Sequence, residues 1–235
     1  MDKIKNIILL KNAHLWSKIV FDNGVTIWKG VYFLMMEILY KVHNNLYVNL
    51  TNRCPYACTF CLRQTMDRIG ESNRLWLEHE PTAEEVIAEF DKFNMDEYGE
   101  VVFCGFGEPM EALPVLLKVA AFVKEKFQKP VRINTNGAGN LIHGRNIVPE
   151  LKGLVDCVSI SLNSPDKEKY EALVRSGFKG QSYDAMLDFA RKCVGVIPKV
   201  IMTTVSTTIS REEEEQCQKI CDEIGAQYRI RVWEG

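Results

Sequence analysis

Tyr47-Val48-Asn49-Leu50-Thr51-Asn52-Arg53-Cys54-Pro55-Tyr56-Ala57-Cys58-Thr59-Phe60-Cys61 is the stretch from which the architecture can be read. Leu46–Leu50 reads as a short apolar strand. Directly after it comes a CxxxCxxC run, Cys54, Cys58 and Cys61. Thiolates are soft ligands that suit iron–sulfur clusters, Zn²⁺ or Cu(I). A [4Fe–4S] cluster usually takes four cysteines. Three close cysteines without a nearby fourth leave one iron open, and an open position is what a catalytic metal site needs. Pro55 disfavours helical backbone at Cys54, so the thiols are expected on a loop. On spacing alone a competing reading stays open, a Cys₃His zinc site completed by His43 or His79.

Outward from this stretch, strands and helices alternate. Pro81-Thr82-Ala83-Glu84-Glu85 opens a helix, with Thr82 and Glu85 at capping-box spacing. Val86, Ile87, Phe90 and Phe93 give it one apolar stripe. Val101–Phe103 is the next strand, and Leu113, Leu116, Leu117, Ala120 and Ala121 mark the next helix. Val131–Asn134 and Val155–Leu162 follow as strands, and 166–174 and 183–193 as helices. Lys199–Val205 is a β-branched strand, Ser210 caps a charged helix running to Ile224, and Gln227–Val232 is the last strand. Six strands alternating with helices predict an α/β fold with parallel pairing and right-handed crossovers. A full eight-stranded barrel needs about 250 residues, so the choice lies between a doubly wound sheet and an open barrel, and a partial (β/α)₆ barrel is the expectation. In such folds ligands bind at the C-terminal ends of the strands.

The 235 residues are 46% hydrophobic and 26% charged, as in a soluble globular domain. A net charge of −2 and a pI near 6.1 give no support to nucleic-acid or membrane-surface binding. No segment reaches the roughly 18 apolar residues of a spanning helix. The N-terminus lacks a signal-peptide pattern, and a cytoplasmic location is expected. In a reducing compartment the eight cysteines do not read as disulfides. Cys193, Cys217 and Cys221 read as small buried hydrophobes rather than an auxiliary cluster.

Asn49 through Cys61 resembles the cluster loop of radical S-adenosylmethionine (SAM) enzymes, whose pattern is CxxxCxΦC with Φ aromatic, here Phe60. Three more segments follow in the family's order after successive strands. Phe103-Cys104-Gly105-Phe106-Gly107-Glu108-Pro109 is similar to the GGE motif that receives the SAM amino group, with GFGEP in place of the commoner GGEP. Asn134-Thr135-Asn136-Gly137 is similar to a TNG segment near SAM, though alone it reads as an Asn-Gly turn. Ser159-Ile160-Ser161-Leu162-Asn163 resembles the segment whose polar side chains reach the SAM ribose or carboxylate. Period two would put Ser161 and Asn163 on one face. Arg175 is the candidate partner for the carboxylate, with a solvated surface charge as its alternative reading. Thr203 and Thr204 are candidates to line the adenine.

The resemblance implies a [4Fe–4S] cluster on Cys54, Cys58 and Cys61, with SAM on the open iron. It implies cofactor contacts from Phe60, Gly105, Phe106, Gly107, Glu108, Asn136, Ser161, Asn163 and Arg175. It also implies reductive cleavage of SAM to methionine and a 5′-deoxyadenosyl radical, oxygen sensitivity, and an electron donor such as flavodoxin or ferredoxin. Within the superfamily the phrases 48–54 and 103–109 look most like the TatD-associated radical SAM family, which suggests a functional association with a TatD-type hydrolase. Two alternatives stay open: a glycyl-radical activating enzyme acting on a partner protein, and a non-enzymatic zinc or electron-transfer module.

Residues 1–35 do not join the strand–helix pattern, and 36–235 form the expected core domain. Lys29-Gly30-Val31 can be encoded by codons that read as a ribosome-binding site upstream of Met35 and Met36. The expectation is a native start at Met35 or Met36; the alternative is a real N-terminal strand and helix.

Overall fold

The computed structural model describes the strand residues 16–20 and 26–30 and all of residues 37–232. The chain divides into two compact units, one up to Met35 and one from Met36 onward. In the first, Trp16–Val20 (β1) and Thr26–Gly30 (β2) pair antiparallel. The expected start at Met35 or Met36 lies outside the described residues.

The second unit is built on a seven-stranded sheet. An antiparallel hairpin, Leu39–Val42 (β3) and Asn45–Val48 (β4), forms one edge. Val101–Phe103 (β5), Val131–Thr135 (β6), Cys157–Ser161 (β7), Lys199–Val205 (β8) and Gln227–Arg231 (β9) then follow in spatial order, each parallel to its neighbour. All six expected strands are present, and β4 to β9 pair in parallel as expected. The antiparallel edge strand β3 was not expected. It turns back at His43, whose φ of 51° places it in the left-handed region.

Ala83–Glu89 (α1) and Leu113–Lys126 (α2) cross over between the first strands, with α2 leading into β6. The short Gly139–His143 (α3) and Val148–Leu151 (α4) lie between β6 and β7. Lys167–Val174 (α5), Ser182–Cys193 (α6) and Arg211–Ile224 (α7) complete the set. Both capping boxes form: Thr82 with Glu85 at α1, and Ser210 with Glu213 at α7. Each pair satisfies backbone donors that the first helical turn leaves without a partner.

One face of the sheet is covered by helices. Val48, Phe103, Ile133, Val158, Ile160 and Met202 are buried with Leu116, Val119, Val123 and Phe189 of α2 and α6. Burying one such side chain contributes about 1.5–3 kcal/mol, so this layer holds the strands in register. Cys193, Cys217 and Cys221 are buried in the same core. The result is a mostly parallel α/β sheet of the open, partial-barrel kind.

Candidate active site

The three thiols sit on the loop leaving β4, at the C-terminal ends of the parallel strands. Cys54, Cys58 and Cys61 are each half-buried and free of disulfides. Burial pushes the Cys54 thiol up to about 11, with the charge of Glu108 adding to the effect. Burial and the neighbouring Cys54 and Cys61 push Cys58 up to about 12. A cation bound to these thiols would hold them as thiolates. Among the described residues no three His, Cys, Asp or Glu side chains converge tightly enough for a single ion. A cube-shaped cluster makes a different demand, one thiolate on each of three irons. His79 instead pairs with Glu85 at 3.0 Å. His43 lines a separate cavity of about 740 Å³ with Lys41, Leu62 and Arg68.

Three contacts hold this loop, and none of them was foreseen from the sequence. First, residues 55–59 lie along the last turn of α5 and the residues just after it. Ala57 N–H donates to Val174 O at 3.0 Å, Thr59 N–H to Leu173 O at 2.9 Å, and Gly177 N–H to Pro55 O at 3.0 Å. Second, the Arg63 guanidinium binds three carbonyls, those of Tyr56 (2.9 Å), Phe106 (3.3 Å) and Asn52 (3.4 Å). A planar fork with five donors suits this cross-linking role. Third, the 105–108 loop lies directly against the cysteine loop, with Glu108 N–H donating to Arg53 O at 2.8 Å.

That third contact explains the glycines. A Cβ on Gly105 would lie 2.1 Å from Asn49 Oδ1, and one on Gly107 2.2 Å from Thr51 O. The close approach expected from Gly105 and Gly107 is thus made at least to the chain's own cysteine loop. The Phe106 side chain packs in a second apolar cluster with Tyr40 and Leu75, its ring 5.2 Å edge-on from Trp76, which leaves its backbone as the part of the residue facing the cysteine loop, where its carbonyl accepts from Arg63.

Glu108 ties the motifs together. It is 3% exposed. Its Oε1 accepts from Thr135 Oγ1 (2.6 Å) and Met110 N–H (3.2 Å), and its Oε2 from Asn136 N–H (2.8 Å). Burial lifts its carboxyl to about 7, although all three donors favour the anion. The folded carboxyl is a weaker acid than its ordinary value of 4.5. Its contribution to stability is therefore full below about pH 4.5 and lost as pH rises through about 7, a loss of about 3 kcal/mol. Glu108→Gln removes this titration, though its amide brings an N–H₂ among donors. Urea unfolding at each pH is expected to shift in the variant's favour by about 3 kcal/mol between pH 4.5 and pH 8. A difference that stays constant with pH contradicts this account.

Asn136 stands beside the thiols, its Nδ2 3.9 Å from Cys54 Sγ while its Oδ1 accepts from Ala138 N–H at 2.8 Å. Asn163 leaves the strand with φ 59°, so the period-two argument linking it to Ser161 ends at Ser161, the last residue of β7. Asn163 is 6% exposed and its Oδ1 has no partner among the described residues. A buried acceptor without a donor favours a ligand that brings one. Ser161 and Phe60 are half-buried. Arg175 is exposed in a left-handed position that ends α5, on the segment paired with the cysteine loop. Thr203 is buried and donates to Ile160 O at 3.4 Å. The Thr204 hydroxyl is taken up by Tyr228 at 2.6 Å, on the side of α7.

A family model described as the radical SAM superfamily matches residues 48–224. The chain belongs to the radical SAM superfamily. It is thus a superfamily enzyme, and the superfamily works with a [4Fe–4S] cluster and SAM. That membership displaces the reading as a zinc or electron-transfer module. GTP 3′,8-cyclase 2 of Mycobacterium tuberculosis and that of Mycobacterium bovis are each 27% identical over 199 residues, 83% of this chain and 52% of theirs. The chain spans about half the length of these curated relatives. A radical SAM methyltransferase from Sphaerobacter thermophilus shares the fold with a TM-score of 0.60 at 15% identity, over 93% of this chain and 76% of that one. Streptococcus suis SuiB, solved with its precursor peptide SuiA, gives 0.57 at 17% identity, over 83% of this chain and 40% of that one. The radical SAM fold thus accounts for the sheet, and the thiol loop lies where its strand ends converge. Among the described residues no helix is long and apolar enough to cross a membrane.

Proposed function

We propose that Cys54, Cys58 and Cys61 hold the cluster of this enzyme and that the neighbouring loops bind SAM. One observation carries the reading. The three half-buried thiols are fixed on a loop held by Arg63, by the end of α5 and the residues after it, and by the 105–108 turn, while Cys104, the next cysteine in the chain, stands past the end of β5, its carbonyl accepting from Tyr40 Oη at 3.1 Å. That leaves one iron for SAM. When bound, the cluster supplies the electron that cleaves SAM to methionine and a 5′-deoxyadenosyl radical. The chain's own residues supply position. Backbone at Gly105–Glu108 receives the methionine end, with Phe60 beside the cluster. Asn136, Ser161 and Asn163 face the ribose, and the unpartnered Asn163 Oδ1 supports this placing. Arg175 meets the carboxylate.

In this reading residues 36–235 are the catalytic unit. Electrons come from a flavodoxin or ferredoxin in the cytoplasm. The TatD-associated family is the narrower home, with a TatD-type hydrolase as functional neighbour, and the substrate is a compact molecule or a partner protein. Anaerobic reconstitution with iron and sulfide, followed by SAM and dithionite, is expected to yield 5′-deoxyadenosine. Tightly bound iron without that product sinks the reading.

A further inference from the structure

The face of the sheet turned away from the helices carries cations at successive levels. Register places Arg132 on β6, Cys157 on β7 and Lys199 on β8 side by side. Four residues further along the strands, Ser161, Thr203 and Arg229 form a second row. Arg229 reaches back from it, its Nη2 3.4 Å from Ser159 Oγ. Contact with Ser159 puts Arg229 on this face, just as contact between Tyr228 and Thr204 puts their side chains on the other. Arg132 is 8% exposed; it pairs with Glu100 at 2.6 Å and donates to Asn134 Oδ1 at 3.3 Å. Its Nε–H has no partner among the described residues. Arg229 is exposed and, among the described residues, lies within ion-pair distance of no carboxylate. Arg132, Lys199 and Arg229 all act electrostatically on Cys157, and Glu100 is the carboxylate that acts with them.

This face therefore carries more cationic than anionic charge, and Arg229, bonded through Nη2 to the Ser159 hydroxyl, is within ion-pair distance of no carboxylate among the described residues. A guanidinium matches the oxygens of phosphate or carboxylate two at a time. Positive charge on a partly enclosed face raises the local concentration of anions. We propose that this face binds an oxyanion group of the substrate, phosphate or carboxylate, with Arg229 and the Ser159 hydroxyl in direct contact and Arg132 and Lys199 behind them. As a substrate site it rests on the reading above: SAM lies across the strand ends, and the anion extends from there along β7 and β9.

The test uses the anaerobically reconstituted enzyme saturated with SAM and without reductant. Calorimetric titration with inorganic pyrophosphate and, separately, with succinate reports binding. One of the two is expected to bind, and which one tells phosphate from carboxylate. Arg229→Gln is expected to weaken that anion at least tenfold, Arg229→Lys less. Ser159→Ala, a second variant on another strand, is expected to weaken it by a smaller factor. Iron content and melting temperature of each variant report its fold. The proposal is overturned if neither anion binds, if Arg229→Gln and Ser159→Ala bind like wild type, or if saturation with SAM excludes the anion. The last outcome would assign the arginine to SAM itself. Binding needs no turnover, so a protein that takes pyrophosphate but makes no 5′-deoxyadenosine fails the functional reading and keeps the anion site.

Discussion

Cys58→Ala is expected to reduce SAM cleavage to background and to leave reconstituted protein with well under half the wild-type iron. Cys58 lies in the middle of the thiol run, and burial together with Cys54 and Cys61 pushes its thiol to about 12. At neutral pH without metal it is a neutral thiol, and neutral thiols are poor ligands. A cluster on three protein sulfurs has no spare ligand, so alanine leaves a second iron bare. Burial alone cannot tell a ligand from a core cysteine. Cys193 is also pushed to about 12, by burial, and is completely buried in the core. Cys193→Ala therefore makes the matched control: it is expected to cost about 1–2 kcal/mol of packing and to keep its iron. Iron and sulfide analysis, electron paramagnetic resonance of the reduced protein and chromatography of 5′-deoxyadenosine read the pair. Wild-type iron and cleavage in Cys58→Ala would remove Cys58 from the ligand set.

Most of the fold is legible from apolar runs and caps. Val101–Phe103 and residues 200–205 read as apolar or β-branched runs, whereas Val131–Thr135 and Cys157–Ser161 alternate, with Val158 and Ile160 in the helix-covered core and Arg132, Asn134, Ser159 and Ser161 on the other face. Thr82 and Ser210 announce their helices through local chemistry alone. The edge strand β3 escaped because its run is short and interrupted by the exposed Lys41, and because its turn rests on a left-handed His43 rather than on Asn-Gly. Helices α3 and α4, of five and four residues, are too short to show a period.

At the site, residue types were legible and their partners were not. Cys54, Cys58, Cys61 and Glu108 stand out by spacing. The sequence does not reveal that Glu108 is already held by Thr135, Asn136 and Met110. Nor does it reveal Arg63. A single charge two residues after the last cysteine has no pattern, and its acceptors at Asn52, Tyr56 and Phe106 meet only in the folded chain. The packing of the Phe106 side chain was hidden for a related reason: it is drawn to Trp76 and Leu75, 30 positions or so away in sequence, while its backbone stays in the 105–108 turn.

Gly107→Ala is the sharpest test of how the two loops meet. The added Cβ would stand 2.2 Å from Thr51 O and 2.6 Å from Arg53 O. Both are backbone oxygens, so no side-chain rotation relieves the overlap. Thr51 is anchored by its hydroxyl to Glu80, and Arg53 O already accepts from Glu108 N–H at 2.8 Å. The loops must separate, which breaks that hydrogen bond and moves Cys54. Overpacking costs about 1–3 kcal/mol and the lost hydrogen bond about 1 more. In a domain of this size a loss of about 3 kcal/mol lowers the melting temperature by roughly 6–12 °C. Gly180→Ala separates overlap from backbone strain, because Gly180 has φ 80° and nothing within 4 Å of its would-be Cβ. That control is expected to cost about 1 kcal/mol and to retain iron. Gly107→Ala is expected to melt well below it and to lose iron during desalting, because displacement of Cys54 opens the ligand set. Were the two variants to melt together with iron intact, the 105–108 turn would have room to spare, and the packing of the two loops would no longer explain how the thiols are held.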